Sequence, residues 1–483
     1  MIDFLISLLA VAGFAAALYL TGIVAAARRV IDHAGTGVSA MLDSALSDDE
    51  KEVAVRRAGV ALVLGSGSIL WRLVVCLGAA VLPIYLADWG GLVRRQAVFD
   101  LMLRLDYILG VSLVLIFLVW LLRRSATTAV TANVSAGGNG AADRFLHMLA
   151  FSGPGFQKGL IWLEDRLMGR AVNRVDGRSP ILVTSLARGG TTAVLNALND
   201  LPGTVTLTYR DMPFITAPLL WSRLSAPLKR KVERRKRAHG DGLSIDLDSP
   251  EAFDEVYWQL FWPEKYRDDH IALWTAGDQK PEATGFFEAL SRKLSLLRGG
   301  GAARYLSKNN ANIARLPLLQ DMFDGVQIVI PLRRPAAHAN SLLRQHRNFI
   351  RQQGEDAFTR RYMRDIGHLE FGLLHKPIAF EGFDPTRYNP VTPDYWLAYW
   401  IAAFTEVQRN GTDCYLLAQD DLRCAPVPTM QALCQALSMP TDGVDFATYF
   451  RSEPDDTDRG VFDSELLAEA EALYDALAAH AVR

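Results

Sequence analysis

Residues Ser179–Thr192 read SPILVTSLARGGTT, and this stretch decides the fold. Ile181–Thr184 is a short apolar run typical of a buried strand, and the two glycines after the arginine predict a tight turn. The following AVLNALND has apolar residues at helical spacing, which predicts a helix that begins at Thr191. A strand that turns through glycines into a helix N-terminus is an anion-binding arrangement, because backbone N–H groups and the helix dipole both favour negative charge.

The side chains of this turn suit phosphate or sulfate. Arg188 supplies a fixed positive charge with forked geometry, and the hydroxyls of Thr191 and Thr192 add hydrogen-bond donors. The GxxxxGK[ST] pattern of nucleoside triphosphatases is absent from the stretch, since no lysine precedes Thr191. A tight strand-to-helix connection without a ligand is the alternative at this point.

Composition and charge exclude some classes of function. The net charge of −2 gives no reason to expect a nucleic-acid partner. The four cysteines match neither a zinc pattern nor a disulfide framework, and the nine histidines are scattered without an HExxH motif. We therefore predict no metal site. The hydrophobic content of 50% is high for a purely soluble enzyme and directs attention to membrane segments.

Three apolar runs near the N-terminus are long enough to predict membrane spans. They cover residues 4–27, 58–87 and 107–122. Arginine pairs lie beside these runs, at 28–29, 56–57 and 123–124. All three pairs fall on one side of a bilayer if every run crosses it, and the positive-inside rule makes that side cytoplasmic.

These patterns divide the chain into three parts. Residues 1–124 form a membrane anchor, residues 125–142 a linker of small and polar residues, and residues 143–483 a globular domain. We expect an integral membrane protein of a bacterial inner membrane whose globular domain faces the cytoplasm.

A second informative region predicts a parallel sheet. Tyr305–Ser307 and Val326–Pro331 are typical of short buried strands, and Ile313–Phe323 between them has a helical pattern. Arg333 follows the second strand, and open α/β sheets bind ligands at the carboxyl ends of their strands. Ser341 lies about two helical turns beyond Arg333, where both side chains can reach one phosphate.

Two distant stretches carry a resemblance to a known family. TSLARGGTT resembles the 5′-phosphosulfate loop of sulfotransferases that use 3′-phosphoadenosine-5′-phosphosulfate (PAPS), usually written P-x-x-x-[RK]-S-G-[ST]-[ST]. IVIPLRRPAAHANS is similar to their 3′-phosphate motif, in which a serine follows an arginine by eight residues, as Ser341 follows Arg333. SKNNANIARLPLLQDMF and Gln419–Leu422 resemble two further segments of the family, K-[NT]-P-x-x-x-x-R and "yEdL".

The resemblance covers roughly residues 178–440, with the segments in the order that the family has. The chain departs from the family pattern at two positions: Gly189 replaces the usual serine, and Arg334 replaces the usual Asp or Asn. Both departures keep the anion-binding logic but leave the subfamily open.

The resemblance implies an α/β fold with a P-loop-type parallel-sheet sulfotransferase domain, which would follow the three transmembrane helices predicted from the apolar runs. It implies transfer of a sulfuryl group from PAPS, the co-substrate, to a hydroxyl or amine. The residues it assigns to donor binding are Arg188, Gly189, Gly190, Thr191, Thr192, Arg333 and Ser341. Arg188 would also stabilise the leaving phosphate, and Lys308 would approach the bridging oxygen or the transferred group.

The acceptor needs a base, and three carboxylates are candidates. Asp211 is the first choice, followed by Glu255 and Glu288. A domain tethered to a bilayer suggests an acceptor in the membrane, such as a glycolipid, aminolipid or lipid-linked saccharide. The sequence predicts no oligomeric state. A nucleotide-dependent phosphotransferase on a related fold and a non-catalytic membrane scaffold are the alternative functions.

Overall fold

The protein is described by a computed structural model. It describes residues 2–23, 48–104, 141–225, 250–299, 303–450 and 458–483, without 252, 412 and 442, together with positions 26, 30, 107, 111, 235–236 and 244–245. The chain forms two compact units, Met1–Val134 and Ser135–Arg483.

The N-terminal unit is helical. Its helices are α1 (Ile2–Thr21), α2 (Asp48–Trp89) and α3 (Arg95–Met102). Helices α1 and α2 approach closely at Gly13, where an added Cβ would lie 2.7 Å from the carbonyl oxygen of Ala79. Small residues at such a contact let two helix backbones pack together, as they do between membrane helices.

Only part of the predicted membrane anchor is supported by this unit. Within the described residues, one stretch, Gly59–Trp89, is long and apolar enough to cross a membrane by length and composition. It corresponds to the span predicted at 58–87. The apolar helix Ile2–Leu18 is shorter, and the third predicted span, 107–122, lies outside the described residues except for two positions.

The second unit is built on a parallel sheet. Its strands are β1 (Ile181–Val183), β2 (Thr204–Val205), β3 (Arg235–Lys236), β4 (Ser244–Ile245), β5 (Arg304–Lys308), β6 (Gln327–Leu332) and β7 (Cys414–Ala418). Five of them form one sheet in the order β2-β5-β1-β6-β7, and every neighbouring pair is parallel. Strands β3 and β4 form a separate antiparallel pair. Strand β1 is central, with Ile181 in register with Leu306 of β5 and Gln327 of β6.

Helices connect and cover these strands. They are α4 (Ala141–Ala150), α5 (Pro154–Val172), α6 (Thr191–Asn199), α7 (Pro218–Ser225), α8 (Glu255–Phe261), α9 (Pro281–Arg298), α10 (Leu316–Met322), α11 (Pro335–Glu355), α12 (Ala357–Asp365), α13 (Pro393–Asn410), α14 (Gln419–Cys424), α15 (Pro426–Ala436) and α16 (Ser464–Ala478).

Both faces of the sheet are buried, which explains why its strands are almost continuously apolar. Leu182 and Ile328 face the larger core, to which α8, α9, α11 and α13 contribute. Ile181, Leu306 and Val329 face the opposite side, against α6 and α15. The predicted α/β class with a parallel sheet is therefore confirmed. The predicted β–α–β unit is also present as β5, α10 and β6, with a 3-10 turn before the helix.

Candidate functional site

The loop between β1 and α6 reverses direction through two left-handed residues. The φ angles of Arg188 and Gly190 are +70° and +98°. An arginine in this region is strained, because its Cβ crowds the backbone, whereas glycine adopts the conformation without that penalty. Helix α6 starts immediately afterwards, and its first turn is closed by the N–H of Ala193, which donates to the carbonyl of Gly190 at 3.1 Å. The loop thus has the strand–turn–helix geometry predicted for an anion site.

Gly189 lies in a space too small for a side chain. A Cβ at this position would lie 2.6 Å from Ser185 Oγ, 3.0 Å from the carbonyl oxygen of Leu186 and 3.1 Å from His338 Cε1. The first of these distances is shorter than any ordinary non-bonded contact, and the carbonyl belongs to the backbone. The departure from the serine usual in the resembling family therefore has a steric reason in this chain.

The two motifs that the resemblance assigns to donor binding touch each other. Arg188 Nε donates a hydrogen bond to Ser341 Oγ at 3.2 Å, and Arg333 Nη1 donates to the carbonyl oxygen of Arg188 at 2.9 Å. Arg333 and Ser341 are buried. They meet the loop because β6 is the direct neighbour of β1, so that the residues following both strands share one edge of the sheet.

His338 holds the loop from the same helix that carries Ser341. Its Nε2 lies 2.8 Å from the carbonyl oxygen of Ala187, and the indole Nε1 of Trp400 donates to its Nδ1 at 3.2 Å. Because an indole N–H only donates and a carbonyl only accepts, Nδ1 carries the lone pair and Nε2 carries the hydrogen. The ring is therefore a neutral donor that fixes the loop carbonyl.

A cavity of about 200 Å³ lies beside this loop, at the carboxyl ends of the central strands. Arg188, Gly190, Thr191, Thr192 and Arg333 all line it. The structure thus brings most of the predicted donor-binding residues to one cavity. Its charged lining consists of three cations, from two arginines and a lysine, and one carboxylate, so the cavity suits an anionic ligand.

The lysine of this cavity is Lys308, at the carboxyl end of β5. Its Nζ lies 3.5 Å from Glu251 Oε1, and the hydroxyl of Tyr209 donates to Glu251 Oε2 at 2.7 Å. Both charged side chains are buried, with exposures of 5% and 3%. The carboxylate partner offsets part of the cost of burying the ammonium that the predicted role of Lys308 requires.

The predicted base Asp211 lies elsewhere, in a short 3-10 turn. Its Oδ2 accepts from the backbone N–H of Thr208 at 2.8 Å, and its Oδ1 accepts from Arg298 Nη2 at 2.5 Å. The residue is 2% exposed and does not line the cavity beside the loop. A carboxylate held by a guanidinium and a backbone N–H acts as a helix cap and ion-pair partner.

Of the other two predicted bases, Glu255 lines a separate small cavity that Leu186 and Ala187 of the loop also line. Glu255 accepts from Arg315 at 2.7 and 2.9 Å and from Asn309 Nδ2 at 2.8 Å. Glu288 pairs with Arg292 of α9 at 3.6 Å and lines a different cavity, of about 440 Å³, near the amino end of β1. Neither carboxylate lines the cavity beside the loop.

Two titratable residues that the sequence analysis missed do line it: His368 and Glu370. His368 Nδ1 lies 3.3 Å from Glu370 Oε2, and Asn310 Nδ2 donates to Glu370 Oε1 at 3.1 Å. Burial alone would raise the pKa of Glu370, but the hydrogen bond and charge of His368 outweigh it and lower that pKa to about 2. The only sequence signal is an H-x-E spacing between two glycines, in GHLEFG, and no known motif places it at the loop.

Within the described part of the chain, no three His, Cys, Asp or Glu side chains are grouped so as to hold a metal ion. The expectation that the protein binds no metal stays a prediction.

No protein-family model and no curated protein sequence matches the chain. Solved structures that are similar to it include three sulfotransferases. Sulfotransferase STF9 from Mycobacterium avium is 13% identical, with a TM-score of 0.37 over 69% of this chain and 82% of the other. A sulfotransferase from Alicyclobacillus acidocaldarius is 13% identical, with a TM-score of 0.32 over 62% and 96%. Sulfotransferase STF1 from Mycobacterium tuberculosis H37Rv is 14% identical, with a TM-score of 0.37 over 67% and 84%. Because these TM-scores are below 0.5, the similarity is too distant to carry a functional assignment.

Proposed function

We propose that this protein is a sulfotransferase that uses PAPS as its sulfuryl donor and a hydroxyl or amine as its acceptor. The observation that carries the proposal is the direct contact between the two predicted anion motifs: Arg188 bonds to Ser341, and Arg333 bonds to the backbone of Arg188. A donor with phosphate groups at both ends of its ribose needs two anion sites joined in this way.

The residues that line the cavity, together with Ser341, which bonds to Arg188, suit that donor. The loop from Arg188 to Thr192 holds the 5′-phosphosulfate, while Arg333 and Ser341 grip the 3′-phosphate that distinguishes this donor from ordinary adenylates. Two guanidiniums and the ammonium of Lys308 at one cavity favour a ligand with several negative charges.

Catalysis then depends mainly on positioning and on charge. The bond between sulfur and the bridging phosphate oxygen breaks as a bond to the acceptor atom forms, in line, and adenosine 3′,5′-bisphosphate leaves. Arg188 and Lys308 lie at the cavity where this negative charge develops, and fixed cations lower the barrier because they need no reorganisation. The ion pair with Glu251 keeps the Lys308 ammonium in place.

The donor class is tested by calorimetric titration of the full chain in detergent micelles. We expect adenosine 3′,5′-bisphosphate to bind more tightly than 5′-AMP or ATP. Arg333→Ala should weaken the bisphosphate about 10- to 100-fold, since a hydrogen bond to a charged group contributes about 1.5–3 kcal/mol. Arg334→Ala is the matched control, because the neighbouring arginine is exposed and bonds to Asp420 instead.

Other outcomes would favour the alternatives. Equal affinity for all three nucleotides, or tighter magnesium-dependent binding of ATP, would contradict the sulfotransferase assignment and favour a phosphotransferase. Absence of all nucleotide binding would leave a non-catalytic scaffold as the better description.

We also propose that three membrane spans, at 4–27, 58–87 and 107–122, anchor the protein with the catalytic unit in the cytoplasm, where it meets a lipid or lipid-linked acceptor. The length and composition of the helix at Gly59–Trp89 support an anchor, and the arginine pairs support the orientation because all three fall on one side when every run crosses the bilayer. Retention in the membrane pellet after alkaline carbonate washing tests the anchor. Protease digestion of right-side-out and inverted vesicles tests the orientation, and cleavage of the catalytic unit in right-side-out vesicles would refute it.

A further inference from the structure

We infer that His368 is the catalytic base that takes the proton of the acceptor, and that Glu370 is the residue that positions it. The inference rests on the proposed sulfuryl transfer and names the residue that this reaction still needs. His368 lines the cavity that the loop and Lys308 also line, whereas Asp211, Glu255 and Glu288 do not. Those three carboxylates are also held by arginines.

The pairing with Glu370 decides which ring nitrogen is basic. The hydrogen bonds from His368 and Asn310 lower the pKa of Glu370, so that its carboxylate is ionised at neutral pH and can only accept a hydrogen bond. His368 Nδ1 therefore carries the hydrogen that points to Glu370 Oε2. In the neutral ring the lone pair is then on Nε2, and Nε2 is the atom assigned to the acceptor.

A short chain of hydrogen bonds ties this pair to the phosphate loop. Glu370 accepts from Asn310 Nδ2, and Asn310 Oδ1 in turn accepts from the hydroxyl of Thr191 at 3.2 Å. The residue before His368 must be glycine, because the φ of Gly367 is +79° and an added Cβ would lie 2.4 Å from Glu255 Cγ. This chain of hydrogen bonds positions the base relative to Thr191, the first residue of α6, where we expect the transferred group.

The charges around the ring set the balance of the proton transfer. Glu370 stabilises the imidazolium that forms, whereas Lys308, Arg188 and Arg333 at the same cavity oppose it.

The proton-transfer step balances in atoms and electrons. The O–H or N–H bond of the acceptor breaks as its oxygen or nitrogen bonds to sulfur, and the proton moves to His368 Nε2. The electron pair of the broken sulfur–oxygen bond stays on the leaving phosphate oxygen, beside Arg188. The imidazolium then loses the proton to water, and the neutral ring is restored.

The test uses the full chain in detergent micelles with two measurements. Calorimetry gives the affinity for adenosine 3′,5′-bisphosphate. Single-turnover release of that nucleotide from PAPS, with enzyme in excess and water as the acceptor, gives the chemical step. We expect His368→Ala to bind the bisphosphate within about threefold of wild type and to release it at least about 100-fold more slowly, which is the usual contribution of a general base.

Added imidazole should restore much of the rate of His368→Ala, a response that a structural role would not produce. Glu370→Gln should keep the fold and slow release by about tenfold, as expected for a residue that acts through the histidine. The matched control is His270→Ala. His270 is also paired with a carboxylate, since its Nδ1 lies 2.7 Å from Asp269 Oδ1, but it does not line this cavity. It should change neither measurement.

Several results would overturn the inference. These are an unchanged rate in His368→Ala, a slow variant that imidazole does not rescue while bisphosphate binding is intact, and a wild-type rate no faster than that of PAPS in buffer. If His368→Ala does not fold, an unchanged release rate in Glu370→Gln would also contradict the inference. Failure of the wild type to bind the bisphosphate is a different outcome, which refutes the proposed function itself.

Discussion

Gly189→Ser introduces the serine that sulfotransferases with the resembling motif usually carry at this position, and it should lower either the stability or the ligand affinity of this protein. In the structure, a Cβ on Gly189 would lie 2.6 Å from Ser185 Oγ, and the carbonyl oxygen of Leu186 and His338 Cε1 are within 3.1 Å. Ser185 cannot move without cost, because its hydroxyl donates to the carbonyl of Pro331 in β6 at 2.9 Å. The carbonyl of Leu186 is backbone and cannot rotate away.

The magnitude comes from these contacts. Overpacking a tight site typically costs about 1–3 kcal/mol, and loss of the Ser185–Pro331 hydrogen bond adds about 1 kcal/mol. Gly189→Ser should therefore destabilise the native state by about 2–4 kcal/mol if the loop stays in place. If the loop shifts instead, the loss appears as weaker binding of adenosine 3′,5′-bisphosphate, by about 30- to 1,000-fold, because about 1.4 kcal/mol corresponds to a factor of ten.

Urea unfolding and calorimetric titration of the same preparations distinguish the two responses. Gly285→Ser is the control, because nothing lies within 4 Å of a Cβ at that position of α9. The double variant Ser185→Ala/Gly189→Ser removes the shortest contact and should recover part of the loss. If Gly189→Ser matched the wild type in both unfolding and affinity, the steric explanation of this departure would be wrong.

Buried charges and histidines give three further predictions. Lys293→Met should lower the free energy of unfolding in urea by about 3–5 kcal/mol, because it leaves the fully buried carboxylate of Glu164, 2.9 Å from the ammonium, without that charge partner. The double variant Lys293→Met/Glu164→Leu should recover most of that loss. Burial, with a neighbouring positive charge, lowers the pKa of His346 and His375 from 6.5 to about 4. Between pH 6.5 and pH 4 the two histidines are therefore protonated in the unfolded chain but neutral in the native protein. The free energy of unfolding should be highest above pH 6.5 and fall as the pH is lowered toward 4. His375→Gln should make the urea midpoint less dependent on pH. Asp211→Asn should lower stability by about 1.5–3 kcal/mol through its arginine partner and leave bisphosphate affinity unchanged; an unaltered unfolding curve with a slow chemical step would restore it as a base.

The parts of the fold that depend on local patterns were predictable from the sequence. The strands predicted at Tyr305–Ser307 and Val326–Pro331 appear as β5 and β6, with ends displaced by one residue. Burial on both faces makes such strands continuously apolar, and this signal is strong even in short strands. The position of Arg333 at the carboxyl edge of the sheet was also predictable, because open α/β sheets bind ligands there, whereas the sequence did not predict that its strand lies beside β1.

The proposed base His368 could not be predicted in the same way. Asp211 was chosen for its position along the chain, but its environment is set by Arg298, 87 residues later. His368 and Glu370 belong to a loop after α12 that has neither hydrophobic periodicity nor a motif, and only the packing of distant segments brings them to the cavity. A single sequence identifies functional residues that belong to a local pattern. It does not show which distant residues become neighbours in the tertiary structure.

The loop itself shows how far a local motif depends on that tertiary structure. The carbonyl of Ala187 is held by His338, that of Arg188 by Arg333, and the guanidinium of Arg188 reaches Ser341. All three partners lie just after β6 or in the first two turns of α11. The strained φ of Arg188 persists because these contacts fix it from outside the loop. The segment that supplies the 3′ half of the proposed donor site therefore also shapes the 5′ loop, so that the two halves form one structural unit rather than two independent sites.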